Sequence, residues 1–385
     1  MQSKQQNSIL AQCPPMGWNS WNTFGAAINA QIMYETVDAI IESGLNRVGF
    51  EYIVIDDFWQ ADHRVNGRLT WDQEKFPDGI KPISDYVHRH GLKFGMYSCA
   101  GTHTCGGKPG SFGYEEIDAR TFAEWEVDFL KYDYCHVPPG EDGPALFQRM
   151  GQALRATGRP ILYSICEWGR NRPWEWGSRV GGHMWRTTGD IKDQWESIVD
   201  IGFEKQNGLG AYAGVGHWND PDMLVVGMYG KGNEEVAQGG CALAEYRSHF
   251  TLWCLLAAPL FIGCDLRTMD QQTQKILTNQ NLIKINQDSL GRQGYKIGEM
   301  LYANEIAQVW NKPLADGSNA IGFFNLGLRD QRLVSVSWER LGISPERPCA
   351  VIDLWTGETL GVFKTSFSAY VDSHDVTAVR LIPQF

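Results

Sequence analysis

The segment Phe129-Leu130-Lys131-Tyr132-Asp133-Tyr134-Cys135 opens as an apolar run and then presents a cation and a carboxylate two residues apart. On a strand, residues two apart share a face, so Lys131 and Asp133 point the same way. Burying such charges is costly unless further partners surround them. The stretch is therefore either a structural ion pair in a crowded core or a strand end that delivers a nucleophile into a pocket. Other polar residues sit at comparable places. Asp56-Asp57 ends the apolar run Tyr52-Ile53-Val54-Ile55, Glu167 follows the run at 161–165, Asp190 lies four residues beyond Arg186, and Asp220 and Asp222 follow His217-Trp218. A single aspartate at such a place is ordinarily a cap or turn residue. Caps do not explain several at equivalent points of a repeat.

Paired carboxylates flanked by ring platforms suit glycoside hydrolysis, in which one carboxylate attacks the sugar carbon and a second protonates the leaving oxygen. The sequence has no P-loop, no Gly-x-Ser-x-Gly elbow and no His-rich metal pattern, so no metal or cofactor is expected. Lys131 is expected to keep Asp133 ionised, as a nucleophile requires. Asp190, past a glycine at a strand end, is placed to donate a proton, and an ionised Asp133 nearby would raise its pKa by like-charge repulsion.

The elements that must hold these residues alternate regularly. Strand-like runs start near Met16, Tyr52, Lys93, Phe129, Ile161, Met184, His217 and Pro259. Helical spacing is read over 30–41, 80–90, 115–127, 144–157, weakly over 173–180, then 193–204, 234–256, 269–277 and 281–286. Eight strand–helix repeats in this length predict a (β/α)8 TIM barrel, whose chemistry sits at the C-terminal strand ends. The predicted organisation is an N-terminal tail at 1–13, a catalytic barrel at 14–294 and a small antiparallel β-sandwich domain at 295–385. Six short strands are read in the last part, at 305–312, 320–326, 334–338, 350–354, 361–363 and 376–381.

Composition narrows the partners. The net charge of −11 without any Lys/Arg run argues against nucleic acid or an anionic membrane. The 15 tryptophans suit a sugar cleft, although most are expected in the core. Residues 1–12 are polar with no signal-like apolar region, so the protein is expected inside the cell, or exported with its leader removed. Nine cysteines without a CxxC pattern argue against a zinc framework and leave at least one unpaired within the chain.

Six ordered motifs carry a resemblance: Met-Gly-Trp-Asn-Ser-Trp at 16–21, Ile-Asp-Asp at 55–57, Lys-Tyr-Asp-Tyr-Cys at 131–135, Cys-Glu-Trp at 166–168, Trp-Arg-Thr-Thr-Gly-Asp-Ile at 185–191 and Trp-Asn-Asp-Pro-Asp-Met-Leu at 218–224. Together they closely resemble the α-galactosidases of glycoside hydrolase family 27. The resemblance implies a retaining enzyme acting on terminal α-linked galactose, with Asp133 as nucleophile and Asp190 as acid/base. It implies substrate contacts from Trp21, Asp56, Asp57, Tyr97, Lys131, Glu167, Trp168, Arg186 and Asp222, and a disulfide between Cys105 and Cys135 beside the site. Cys99, six residues before Cys105, offers a competing pairing, and Cys166 is expected free. Glu167 is expected to face the galactose 2-hydroxyl and to exclude an acetamide, which disfavours an α-N-acetylgalactosaminidase. Asp56 and Asp57 disfavour a β-L-arabinopyranosidase. A non-catalytic galactose-binding barrel is the alternative outside enzymes, and any glycosyl intermediate could also pass to a sugar acceptor.

Overall fold

A computed structural model describes residues 10–233, 239–302, 305–328 and 331–384. The expected tail and the start of the helix expected at 234–256 fall largely outside these residues.

Eight strands form one parallel sheet: β1 (Met16–Asn19), β2 (Tyr52–Val54), β3 (Lys93–Cys99), β4 (Phe129–Asp133), β5 (Leu162–Cys166), β6 (Met184–Arg186), β7 (Trp218–Asp220) and β8 (Leu260–Ile262). Neighbours in sequence are neighbours in space, and β1 pairs with both β2 and β8. The remaining seam closes just beyond β7, where the Leu224 N–H donates to Phe261 O at 2.7 Å and the Gly263 N–H to Leu224 O at 2.9 Å. The chain from Asp220 to Leu224 thus detours before rejoining the barrel wall. These strands are buried on both faces, which is why they read as short apolar runs rather than alternating ones.

The end of the barrel remote from Asp133 is plugged by rings. Tyr52, Phe129 and Phe261 stand 5.2 to 6.4 Å apart, centroid to centroid. Gly17 makes room for them, since a Cβ there would lie 2.7 Å from Tyr52 Cβ and 2.9 Å from the Phe261 ring. Lys131, Asp133 and Arg186 occupy the other end, so the interior passes from apolar floor to charged rim.

The outer helices follow the expected pattern with local departures. The helix Ala30–Ser43 is capped by Asn29, whose side chain accepts from the Ile32 N–H, and ends at Gly44 in the left-handed region. The helices Lys81–Arg89 and Gly143–Ala156 each carry proline in the first turn, where no backbone donor is lost. The weak helix read at 173–180 is a single 3-10 turn, Pro173–Glu175. The segment read as one helix at 193–204 is a turn of α-helix, Trp195–Ile198, running into a wide π-type turn, Val199–Glu204. The helix read over 234–256 begins at Leu243 and ends at Leu255.

The C-terminal part holds a six-stranded antiparallel sheet and a two-stranded one. The large sheet contains β9 (Tyr295–Tyr302), β10 (Glu305–Pro313), β11 (Asn319–Asn325), β13 (Cys349–Asp353), β14 (Thr359–Phe363) and β16 (Val376–Pro383); the small one pairs β12 (Arg332–Ser337) with β15 (Ser366–Val371). Their facing sides enclose Val309, Ile321, Phe323, Val336, Trp338 and Phe367. Strands β9 and β15 were not expected. Both are largely exposed along one side and lack the apolar run that marks a buried strand. Among the described residues no helix is long and apolar enough to cross a membrane.

Candidate active site

The rim at the C-terminal ends of β1 to β7 gathers the residues singled out above. Asp133 is the last residue of β4, flanked in register by Cys99 of β3 and Cys166 of β5. Its carboxylate accepts from the Tyr134 N–H at 2.7 Å and from the Tyr97 hydroxyl at 3.2 Å. Tyr97 is therefore a buried support behind Asp133.

Lys131 reaches a different partner from the one expected. Its ammonium donates to Asp56 Oδ2 at 2.8 Å and lies 5.4 Å above the Tyr97 ring. Asn19 donates to the same Asp56 oxygen at 2.7 Å, and the Asp57 N–H donates to Asp56 Oδ1 at 2.9 Å. Burial pushes Asp133 up to about 7, and the Lys131 charge, which pulls it down, is too weak to reverse this. Lys131 thus favours the ionised form of Asp133, as expected, but does not hold the carboxyl in the usual range, because Lys131 is shared with Asp56 and Asp133 is cut off from water.

Asp57 accepts from the Phe58 N–H and the Gly106 N–H, each at 2.8 Å. Phe58 has φ of 74° and stacks on Trp21 at 6.2 Å with the rings 4° apart. Cys105 and Cys135 form the implied disulfide, which ties the loop carrying Gly106 to the end of β4. Cys99 does not compete for it. Its thiol donates to His103 O at 3.0 Å, and Cys166 is likewise free and buried.

Arg186, the last residue of β6, lies between two acids. It reaches Asp190 Oδ1 and Asp222 Oδ1, each at 2.9 Å, and also donates to Thr188 O at 3.1 Å. The other Asp222 oxygen accepts from the Ile191 N–H at 2.8 Å. Burial raises the proton affinity of Asp190, but Arg186 and then Lys131 outweigh it, and its carboxyl ends below the usual range. The expected like-charge elevation of Asp190 is not found, because a guanidinium in contact acts more strongly than a carboxylate farther away. The Asp190 charge is nonetheless close enough to raise Asp133. Asp220, also cut off from water, is pushed up to about 6.

Glu167 departs from its expected place. Its side chain is fully buried, accepting from the Asn171 N–H at 2.7 Å and from the Asn171 side-chain amide at 2.8 Å. The chain turns sharply after β5, with Trp168 in the left-handed region, so Glu167 closes the turn and Trp168 faces out. Trp168 lines a 580 Å³ cleft together with Cys105, Tyr134, Cys135, His136 and Arg170. Two site residues were missed from sequence. Asn19, inside the motif at 16–21, holds Asp56. Asn171, four residues after Glu167, holds that carboxylate, and Glu–Asn spacing across a glycine was the one signal available.

Residues 13–288 match the alpha galactosidase A family, and residues 304–381 match the alpha galactosidase C-terminal beta sandwich domain. The chain belongs to the α-galactosidase family. It is 43% identical over 377 residues to the alpha-galactosidase of Cyamopsis tetragonoloba, covering 97% of this chain and 87% of the relative. Alpha-galactosidase I from Mortierella vinacea superposes with a TM-score of 0.89 at 34% identity, covering 97% of this chain and 98% of that one. An alpha-galactosidase from Saccharomyces cerevisiae solved with raffinose has a TM-score of 0.89 and 28% identity, covering 97% and 98%. The (β/α)8 barrel and C-terminal sandwich of this α-galactosidase family member thus agree with the architecture read from its sequence.

Proposed function

We propose that the protein removes terminal α-linked galactose from oligosaccharides or glycoconjugates by double displacement, with Asp133 as nucleophile and Asp190 as acid/base. The observation that carries this reading is the pair itself: two carboxylates, at the end of β4 and just beyond β6, share one rim, with Asp190 close enough for its charge to act on Asp133. Asp56, Asp57 and Lys131 form one polar wall for sugar hydroxyls, Arg186 and Asp222 form another, and Trp21 supplies an apolar face.

Reaction needs an ionised Asp133 and a protonated Asp190, whereas burial pushes Asp133 up to about 7 and Asp190, which burial alone would raise, is held below the usual range by Arg186. A bound sugar corrects this by two physical effects. It covers Asp190, whose side chain is 45% exposed, and so raises its pKa by desolvation. Its hydroxyls donate to Asp133 and favour the ionised form there. Both effects move the pair toward a protonated Asp190 and an ionised Asp133. Ionised Asp133 then attacks the anomeric carbon while Asp190 protonates the leaving oxygen, and Asp190 next takes a proton from the water that releases galactose.

The test is hydrolysis of p-nitrophenyl α-galactoside against the N-acetylgalactosaminide, with the released sugar followed by NMR. Preference for the galactoside and first appearance of the α-anomer are expected. Asp133→Ala should lose more than about 10³-fold in kcat. Preference for the acetamido sugar, or first release of the β-anomer, overturns the reading.

A further inference from the structure

Asp193 lies three residues beyond Asp190 and is 3% exposed, and its hydrogen bonds go to groups other than those assigned above to sugar binding. Its carboxylate accepts from the Gly230 N–H at 2.7 Å, from the Cys241 N–H at 3.1 Å, and from the Tyr246 hydroxyl at 2.9 Å to each oxygen. The cradle is built around it. Gly240 has φ of 84°, and a Cβ there would stand 2.2 Å from Asp193 Oδ2 and 2.1 Å from the Gly230 nitrogen. A buried carboxylate with donors from three separated places is a strong clamp, because charge-assisted hydrogen bonds are about twice as strong as neutral ones.

The clamp closes a short segment that begins at the exposed Gly189 and Asp190. Gly189 has no atom within 4 Å of a built Cβ, so the chain enters Asp190 through open space. Among the described residues, the hydrogen-bond partner of the half-exposed Asp190 side chain is Arg186. Beyond Asp190, the backbone is held by the Ile191 N–H on Asp222, the Lys192 N–H on Ser197 Oγ at 2.9 Å, and then by Asp193. Asp190 and Asp193 line one narrow gap with Trp21, Asn22, Met228 and Asn233, so a shift of Asp193 carries directly to the side where Asp190 meets a leaving group.

We propose that Asp193 is a positioning residue for proton transfer by Asp190, locking the Asp190–Asp193 segment to the Gly230 and Cys241 backbone and the Tyr246 hydroxyl. This rests on the reading of Asp190 as acid/base. Asparagine at 193 replaces one acceptor oxygen by an amide that cannot accept, setting donor against donor in a closed space. Misplacing a catalytic group by about 1 Å can cost roughly 10²-fold.

The test separates substrates by their need for an acid. Asp193→Asn is assayed on raffinose, whose leaving alkoxide must be protonated, and on 2,4-dinitrophenyl α-galactoside, whose leaving phenolate need not be. The expected result is a loss of about 30-fold in kcat/KM on raffinose and under about threefold on the dinitrophenyl substrate, within the 10²–10⁴-fold that general acid catalysis supplies. Tyr246→Phe, which keeps the ring and removes only the hydroxyl, should show the same selectivity at smaller size and decides the matter if Asp193→Asn does not fold. Equal losses on both substrates, or none on either, overturn the proposal. Asp190→Asn is run alongside; if it shows no such selectivity, the acid/base reading itself is wrong, whatever Asp193 does.

Discussion

At the scale of single residues, sequence proximity misled where spatial proximity decides. Lys131 and Asp133 share a face of β4, and that much was legible from a period of two. Their pairing was not, because the partner that takes Lys131 is Asp56, from another strand, at 2.8 Å. Asp133 is left with burial as the dominant influence, and this has a thermodynamic consequence. Its proton is bound more tightly in the folded state, with a pKa of about 7 against 3.8. Such a group stabilises the fold fully below pH ~4, and the stabilisation is lost as pH rises through about 7. The span corresponds to roughly 4 kcal/mol at 1.36 kcal/mol per unit. Asp133→Asn lacks this dependence, whereas Asp220 contributes equally to both proteins. Urea unfolding of the two at several values between pH 4 and 8 should show Asp133→Asn gaining on the wild type by a few kcal/mol as pH rises. Parallel curves would show that Asp133 is not held in a dry site.

At the scale of elements, the eight barrel strands were legible because most are short apolar runs with a polar residue at or just past the end. What escaped were elements whose exposure removes that signal, such as β9 and β15, and turns whose backbone form is set by contacts from elsewhere, such as Pro173–Glu175 and Val199–Glu204. Glu167 belongs to the same class. Its identity within the motif at 166–168 was plain, but its direction depends on a left-handed Trp168 that sequence does not reveal. The loop after β3 shows how an element without regular structure can still be tightly specified. Gly106 brings its N–H to Asp57, and a Cβ there would lie 2.5 Å from the Phe58 ring and 3.0 Å from Asp57 Oδ2. Phe58 in turn stacks on Trp21. Gly106→Ala should therefore disturb sugar binding through both Asp57 and Trp21. A rise of about tenfold in KM is expected, equivalent to ~1.4 kcal/mol of binding, with a smaller change in kcat. An unchanged KM would mean that this loop does not shape the sugar pocket.

At the scale of the whole molecule, the barrel and the sandwich behave as one packed body, and one helix explains why. Leu243–Leu255 is buried around most of its circumference, as a helix between two layers must be. On the barrel side, Tyr246 holds Asp193, His249 accepts from the Val225 N–H at 3.1 Å, and Trp253 donates to Asp222 O at 2.8 Å. Toward the sandwich, Leu255 meets the space beside Gly322 of β11, and Ser248 donates to His374 O at 2.7 Å. Phe203 of the barrel stands 4.9 Å from Phe324 and 6.2 Å from Trp310 of the sandwich, and Lys312, fully cut off from water and lowered to about 8, donates to Arg292 O at 2.8 Å. None of this was legible in sequence, where 305–312 and 320–326 read only as strands of the small domain. The same helix therefore joins the Asp190–Asp193 segment and the Asp222 loop to the far domain. Phe324→Ala should cost about 3–5 kcal/mol, the usual loss for a buried aromatic truncation. In calorimetry both wild type and variant should unfold in one transition, with activity disappearing at the same temperature as the heat is absorbed. A sandwich that melts first while the barrel keeps its activity would mean that the helix supports the site without any help from the domain behind it.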